Sequence, residues 1–158
     1  MIKKLKALLD RRAKGGPSAE DNQEALRLAT AALLMDAACM DGHIDDQEQV
    51  TITALLIDQF DLDQIEAQEL AEAGRQAASE SAGLYKFTRT IKDNFDHEDR
   101  VRMIEMLWRV AYADGILHDY EASLVRRVCG LIYVSDPESG LARKRVLEQL
   151  DLHPTKAP

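Results

Sequence analysis

Two stretches of the chain are apolar at almost every position, and the segments around them carry apolar residues at helical spacing. From Ser18 to about Met40 the pattern is that of a long helix, and within 25–40 only Arg27, Thr30 and Asp36 are not apolar. A helix that is apolar around its whole circumference belongs at the centre of a bundle. "VRMIEMLWRVAYA", residues 101–113, has the same character, in a helix that starts at Asp96 and Asp99 and reaches about Ala113. Amphipathic segments surround these two. One runs from about Asp46 to Phe60, and another toward Ser79 from a capping pair, Asp63 with Glu66 three residues on. A short segment, 84–94, follows Gly83, and a further helix spans Asp119 to Tyr133. Asp136, read as an N-cap with Pro137 at the first helical position, opens a last helix that ends near Leu150. Alternating Val-, Ile- and Thr-rich runs bounded by turns are absent. The pattern predicts an all-α fold of seven or eight helices with short connections.

Ahead of this lies "MIKKLKALLDRR", which sets Ile2, Leu5, Leu8 and Leu9 on one helical face before "AKGGPS" breaks the helix. The predicted organisation is a leader helix and linker over 1–17, a helical domain over 18–151, and a loose tail over 152–158.

The pattern also repeats. Placing Asp41 on Asp114 sets an offset of 73 residues (114 − 41), under which Gly42 meets Gly115, Ile44 meets Leu117, Asp46 meets Asp119 and Glu48 meets Glu121. Phe60 meets Tyr133 at the far end. Each half reads as a buried helix, an acidic Asp-Gly turn and a second helix, and neither could bury its apolar face alone. An internal pseudo-two-fold repeat of helix–turn–helix units follows. It sets Asp36 against Arg109 and predicts an ion pair between them, because an unpaired charge on a central helix is costly.

Composition and charge narrow the function. Aromatic residues make up only 5% of the chain, which favours helix over strand. Of the net charge of −8, residues 1–14 hold +5, which leaves −8 − 5 = −13 on the remainder. So acidic a body argues against general nucleic-acid binding. The basic leader suits docking on the acidic body first, and contact with an anionic membrane surface through residues 1–14 second. Cys39 and Cys129 sit in apolar helical runs, so a disulfide framework or a cysteine-based zinc site is not expected, and buried thiols suit a reducing compartment. The N-terminus lacks the apolar centre of a signal peptide, and no run approaches the ~20 apolar residues of a membrane span. A cytoplasmic protein is expected.

On "DAACMDGHIDDQE" and "VAYADGILHDYE", each at the end of a buried helix, the sequence resembles the TerB-like family, over about residues 22–150. That family is named for tellurite-resistance proteins and is related to the N-terminal domain of the DjlA co-chaperones. The resemblance implies an all-helical bundle and a bacterial role in tellurite or other stress responses, with metal sensing or membrane-associated complexes proposed for the family. It implies no catalytic activity, and the leader lies outside it.

The acidic turns admit three readings. In the first they are structural: Gly42 and Gly115 end helices in the left-handed conformation, and Asp45 with Glu48 forms a capping box. His118 takes the cap position of the second turn, where it caps poorly, so capping alone leaves Glu121 unexplained. Asp41 and Asp114 sit at helix C-termini, where the macrodipole disfavours negative charge, and a turn amide or a cation must offset them. In the second reading they hold a divalent cation. The spacing matches the second half of an EF-hand loop, but its first and third positions fall on Ala37 and Cys39, or Val110 and Tyr112, so a true EF-hand is excluded on ligand count. What survives is a weak, partly exposed site from Asp41, Asp46 and Glu48, with a twin from Asp114, Asp119 and Glu121. Oxygen ligands suit calcium, magnesium or manganese, with zinc behind them on the strength of His43 and His118 alone. The third reading, an enzyme, lacks a phosphate loop, a nucleophile with its base, or an HExxH motif. Trp108, Met35, Met40, Met103 and Met106 are read as core. The sequence therefore points to a non-enzymatic binding or sensing module with unidentified protein partners, either metal-linked or a metal-free interaction scaffold.

Overall fold

A computed structural model of the chain describes residues 19–39, 44–80 and 84–152. Seven helices make up the described part: α1 (Ala19–Ala38), α2 (Asp46–Phe60), α3 (Gln64–Glu80), α4 (Tyr85–Asn94), α5 (His97–Ala111), α6 (Asp119–Ile132) and α7 (Asp136–Gln149). The leader and the tail from His153 lie outside the described residues.

Helix α1 is the axis of the bundle. From Ala25 to Ala38 every residue is buried except Arg27 and Asp36, which are half-buried. It packs most extensively on α3 and also touches α2, α4, α5 and α6. Its one polar residue with no exposure, Thr30, donates its hydroxyl to the Leu26 carbonyl at 2.8 Å, so that hydroxyl is satisfied. Around it α5 contributes Met103, Ile104, Leu107 and Val110 to the same core, and α6 contributes Leu124, Val125, Val128 and Ile132. Trp108, Met35, Met103 and Met106 are buried, as expected of core residues.

The capping pair expected at the start of α3 is present. Asp63 Oδ1 accepts from the Glu66 N–H at 2.8 Å, and Glu66 Oε1 accepts from the Asp63 N–H at 3.2 Å. Other boundaries differ from the sequence reading. Helix α5 stops at Ala111 because Ala113 and Asp114 already belong to the turn that Gly115 closes with φ +84°. Helix α6 stops at Ile132 because Tyr133 takes the left-handed conformation, φ 59°. The N-cap of α7 is Ser135, not Asp136: its extended backbone lets its hydroxyl accept from the Glu138 N–H at 3.3 Å. Asp136 then lies in the first turn, where the helix dipole favours its charge.

Spacing between the halves is kept where the cores meet. The ends of α1 and α5, and the starts of α2 and α6, are each 73 positions apart. Helix α2 has 15 residues and α6 has 14, so the register slips by one at their far ends. There the buried Phe60 matches the buried Ile132 as last helical residue, and Tyr133 is 66% exposed. The expected pair of Asp36 and Arg109 does not form. The cation acting on Asp36 is Arg127, which only partly offsets the upward push of burial on its carboxyl. Arg109 instead lines a groove on the far side of α5 from the core.

Packing between α1 and α3 sets the tightest tolerance. A Cβ built on Gly74 would lie 2.6 Å from the carbonyl carbon and from the Cβ of Ala31. Glycine is required here by close approach, since rigid backbone stands in the way. Gly74→Ala is therefore expected to lose about 2 kcal/mol in urea unfolding, in spite of the ~1 kcal/mol of helix propensity that alanine adds. A gain in stability would show that α1 and α3 do not approach this closely.

Candidate functional site

The two acidic corners are built by the helix starts that follow them. At the first, Asp45 is extended (φ −83°, ψ 167°), which aims its Oδ1 at the Glu48 N–H at 2.7 Å. Glu48 reaches back, its Oε1 accepting from the Asp45 N–H at 3.4 Å. At the second, Glu121 makes the same return contact, accepting from the His118 N–H at 3.4 Å. The forward half comes from the His118 backbone, whose carbonyl accepts from the Glu121 N–H at 3.1 Å. Both glutamates thus have a capping role, contrary to the expectation that capping leaves Glu121 unexplained.

The His118 imidazole, spared from capping, faces Asp114, with Nε2 3.5 Å from Oδ2. It also stacks on Tyr120, centroids 5.6 Å apart. The other oxygen of Asp114 accepts from the Ile116 N–H at 3.0 Å. A turn amide and an imidazole therefore offset the unfavourable place of this carboxylate at a helix end. Asp41, Gly42 and His43, the matching turn of the first half, lie outside the described residues.

Electrostatics join the two corners. The Glu48 carboxyl is pushed up to about 7, first by burial and then by its contact with Asp45, with the charge of Asp114 from the other corner adding to it. Glu121 is only 3% exposed and is pushed up to about 8. Burial is again the largest cause; the charges of Glu48, Asp114 and Asp45 add to it, against the lowering effect of the His118 amide. Four carboxylates, Asp45, Glu48, Asp114 and Glu121, therefore act as one coupled group. Asp45 was read from sequence only as a cap. Asp46 and Asp119, named as ligands from sequence, head their helices in solvent and are not among the charges that act on the buried pair. The expectation that all these carboxylates are partly exposed fails at Glu121, which the core beneath α6 covers. Among the described residues, no three Asp, Glu, His or Cys side chains are gathered so that they could hold a metal ion.

Beside the corners runs a groove of about 1020 Å³ between α2, α5 and the end of α7. Of the four carboxylates in its described lining, Asp58 and Glu105 are tied to Arg102 at 3.0 Å and Arg145 at 3.2 Å, and the other two are Glu98 and Asp114. Histidine, cysteine, serine and lysine are absent from its described lining. Elsewhere, His97 contacts Glu138 across the starts of α5 and α7, and this contact, ahead of the Ser135 amide, holds the glutamate down at about 2.

Among the described residues, the fold is an all-helical bundle with carboxylates gathered at the starts of α2 and α6. A family model described as tellurite resistance protein TerB matches residues 27–144, from the first half of α1 into α7, and the chain belongs to that family. Comparison with curated proteins and with solved structures returned no match.

The raised carboxyls set a pH dependence. Between about 4.5 and 8 the folded protein holds protons on Glu48 and Glu121 that the unfolded chain has released, so stability falls as pH rises through that window. Urea melts from about pH 5 to pH 8.5 should show this fall in the wild type and a flatter profile in Glu48→Gln/Glu121→Gln. Equal slopes for the two proteins would mean that these carboxyls ionise normally.

Proposed function

We propose that this protein is a non-enzymatic binding and sensing module in a tellurite- or stress-response system, with its coupled corner carboxylates taking up a divalent cation weakly. The observation that carries this reading is the gathering of Asp45, Glu48, Asp114 and Glu121, whose two glutamates are pushed up first by burial and then by the neighbouring carboxylates. Among the described residues, the charges that act on the two glutamates are those of other carboxylates. Near neutrality such a group either keeps protons on its glutamates or, once ionised, gains by taking up a cation. Carboxylate oxygens favour calcium, magnesium or manganese. Zinc stands behind them, since His118 is already engaged by Asp114 and Tyr120.

The donor set fits an ion that keeps much of its water. Asp45 and Asp114 are exposed and Glu48 is half-buried, which lets a hydrated ion arrive. A dissociation constant no tighter than ~10⁻⁴ M is consistent with so few ligands. Metal uptake displaces the protons of Glu48 and Glu121, so binding strengthens as pH rises. The non-enzymatic part of the reading draws on the groove, in whose described lining Asp58 and Glu105 are each paired with an arginine and no histidine, cysteine, serine or lysine stands. The buried free thiol of Cys129 favours the cytoplasm.

A second reading is a metal-free interaction scaffold. The capping contacts favour it, because they already give Glu48 and Glu121 a structural role. Thermal melts separate the two. Calcium or manganese at about ten times the dissociation constant should raise the melting temperature by about 4 °C, and more at pH 8 than at pH 6. Glu48→Gln/Glu121→Gln, which keeps the acceptor oxygens of the caps, should remove most of that rise. An unchanged melting temperature with calcium, magnesium, manganese and zinc would establish the scaffold.

A further inference from the structure

Under the 73-residue offset, the groove has a counterpart across the bundle. Its floor α5 answers to α1, and its walls α2 and α7 answer to α6 and α3. In the counterpart, α4 packs on both α1 and α6. It does so through the buried Phe87, Thr88 and Ile91, with Leu84 and Phe95 buried at its two ends. Among the described residues no helix takes that place in the groove, and two apolar residues of its lining stay exposed, Val50 at 68% and Leu150 at 36%.

Charge decides what kind of helix fits. The offset sets Arg109 on Asp36 and Arg127 on Ala54. On the filled side Arg127 acts on Asp36 and partly offsets its burial. On the open side Ala54 has no charge to offer, and the half-buried Arg109 has no ion pair or hydrogen bond with a described residue. The other charges of the lining are placed already. Arg102 and Arg145 hold Asp58 and Glu105, and Asp114 is engaged by the Ile116 amide and His118. Glu98 lies in the first turn of α5, ~16 Å along the helix from Arg109. A guanidinium partly withdrawn from water is best answered by a carboxylate. We propose that the groove binds an amphipathic helix of a partner protein, with apolar residues at the spacing of α4 and a carboxylate on the flank that meets Arg109. The floor runs ~21 Å from Glu98 to Tyr112, room for a helix of about three to four turns. This surface does not depend on cation uptake at the corners.

The test is an NMR titration of the full chain, with a chelator present so that ions play no part. The probe is a synthetic peptide of the 84–95 sequence carrying Tyr85→Glu, Arg89→Glu and Lys92→Glu. These three positions share the stripe on which, in the protein, Lys92 lies over the Tyr133 ring at the end of α6. A lactam from Lys86 to Thr90→Glu, one turn apart, holds so short a peptide helical. Amides of Val50, Ala54, Val101 and Leu150 should shift saturably. Arg109→Ala should weaken binding about tenfold, and Arg109→Glu should favour the peptide that keeps Tyr85, Arg89 and Lys92. Val50→Glu, on an exposed position that leaves the core intact, should weaken the acidic peptide as well. No saturable shift, shifts on another face, or equal affinity of the wild type for the two peptides would overturn the proposal. So would shifts at the same amides that grow with protein concentration in the absence of peptide, alongside a dimer in sedimentation, which would make a second copy the occupant.

Discussion

Helix α1 has no face to give to solvent, and the rest of the bundle is arranged to satisfy that constraint. Fourteen consecutive positions, Ala25 to Ala38, are buried but for two half-buried charges. Five of the other six described helices touch it. Small residues make this possible on the α3 side, where Ala31 and Gly74 bring the two backbones together. A single helix of this composition would be insoluble by itself, so α1 is formed by the same event that assembles its neighbours.

The two halves use different means for the same end. The first relies on small-residue packing of α1 on α3. The second ties α5 to α7 through polar groups at the edge of the core: Trp108 Nε1 donates to Ser139 Oγ at 3.2 Å, and Arg143 Nε donates to Tyr112 Oη at 2.7 Å. The Arg143 guanidinium also lies over both aromatic rings. Net contributions of about 1 kcal/mol for each such bond make these contacts secondary to the apolar core, but they orient α7 and with it the end wall of the groove.

Acidic corners are a consequence of this architecture that carries a chemical opportunity. Carboxylates are favourable at each helix start taken alone, because they cap amides and complement the dipole. Bringing the two starts together places favourable local choices in one field, where they oppose each other. The protein holds that opposition in Glu48 and Glu121, which turn from anions into acids near neutrality. A module built this way responds to protons and, on the proposed reading, to cations through the same atoms.

Much of this was legible in the sequence. Two apolar stretches announced two central helices, and the Asp63–Glu66 pair announced the start of α3, because periodicity and capping are local properties. The turn at Asp114 and Gly115 and the TerB family were legible for the same reason. Helix ends were less so, since Tyr133 adopts a left-handed conformation that its residue type does not favour, and Ser135 and Asp136 are both good caps. Which carboxylates share a field was not legible at all. Sequence spacing grouped Asp46 and Asp119 with their neighbours, whereas the fold leaves them in solvent, brings Asp45 in and buries Glu121. Which cation acts on Asp36 likewise depends on how helices cross, and it is Arg127, not Arg109. Local patterning determined the helices and their turns; only tertiary packing decided burial and charge coupling, because both depend on distances between residues that the chain holds some 70 positions apart.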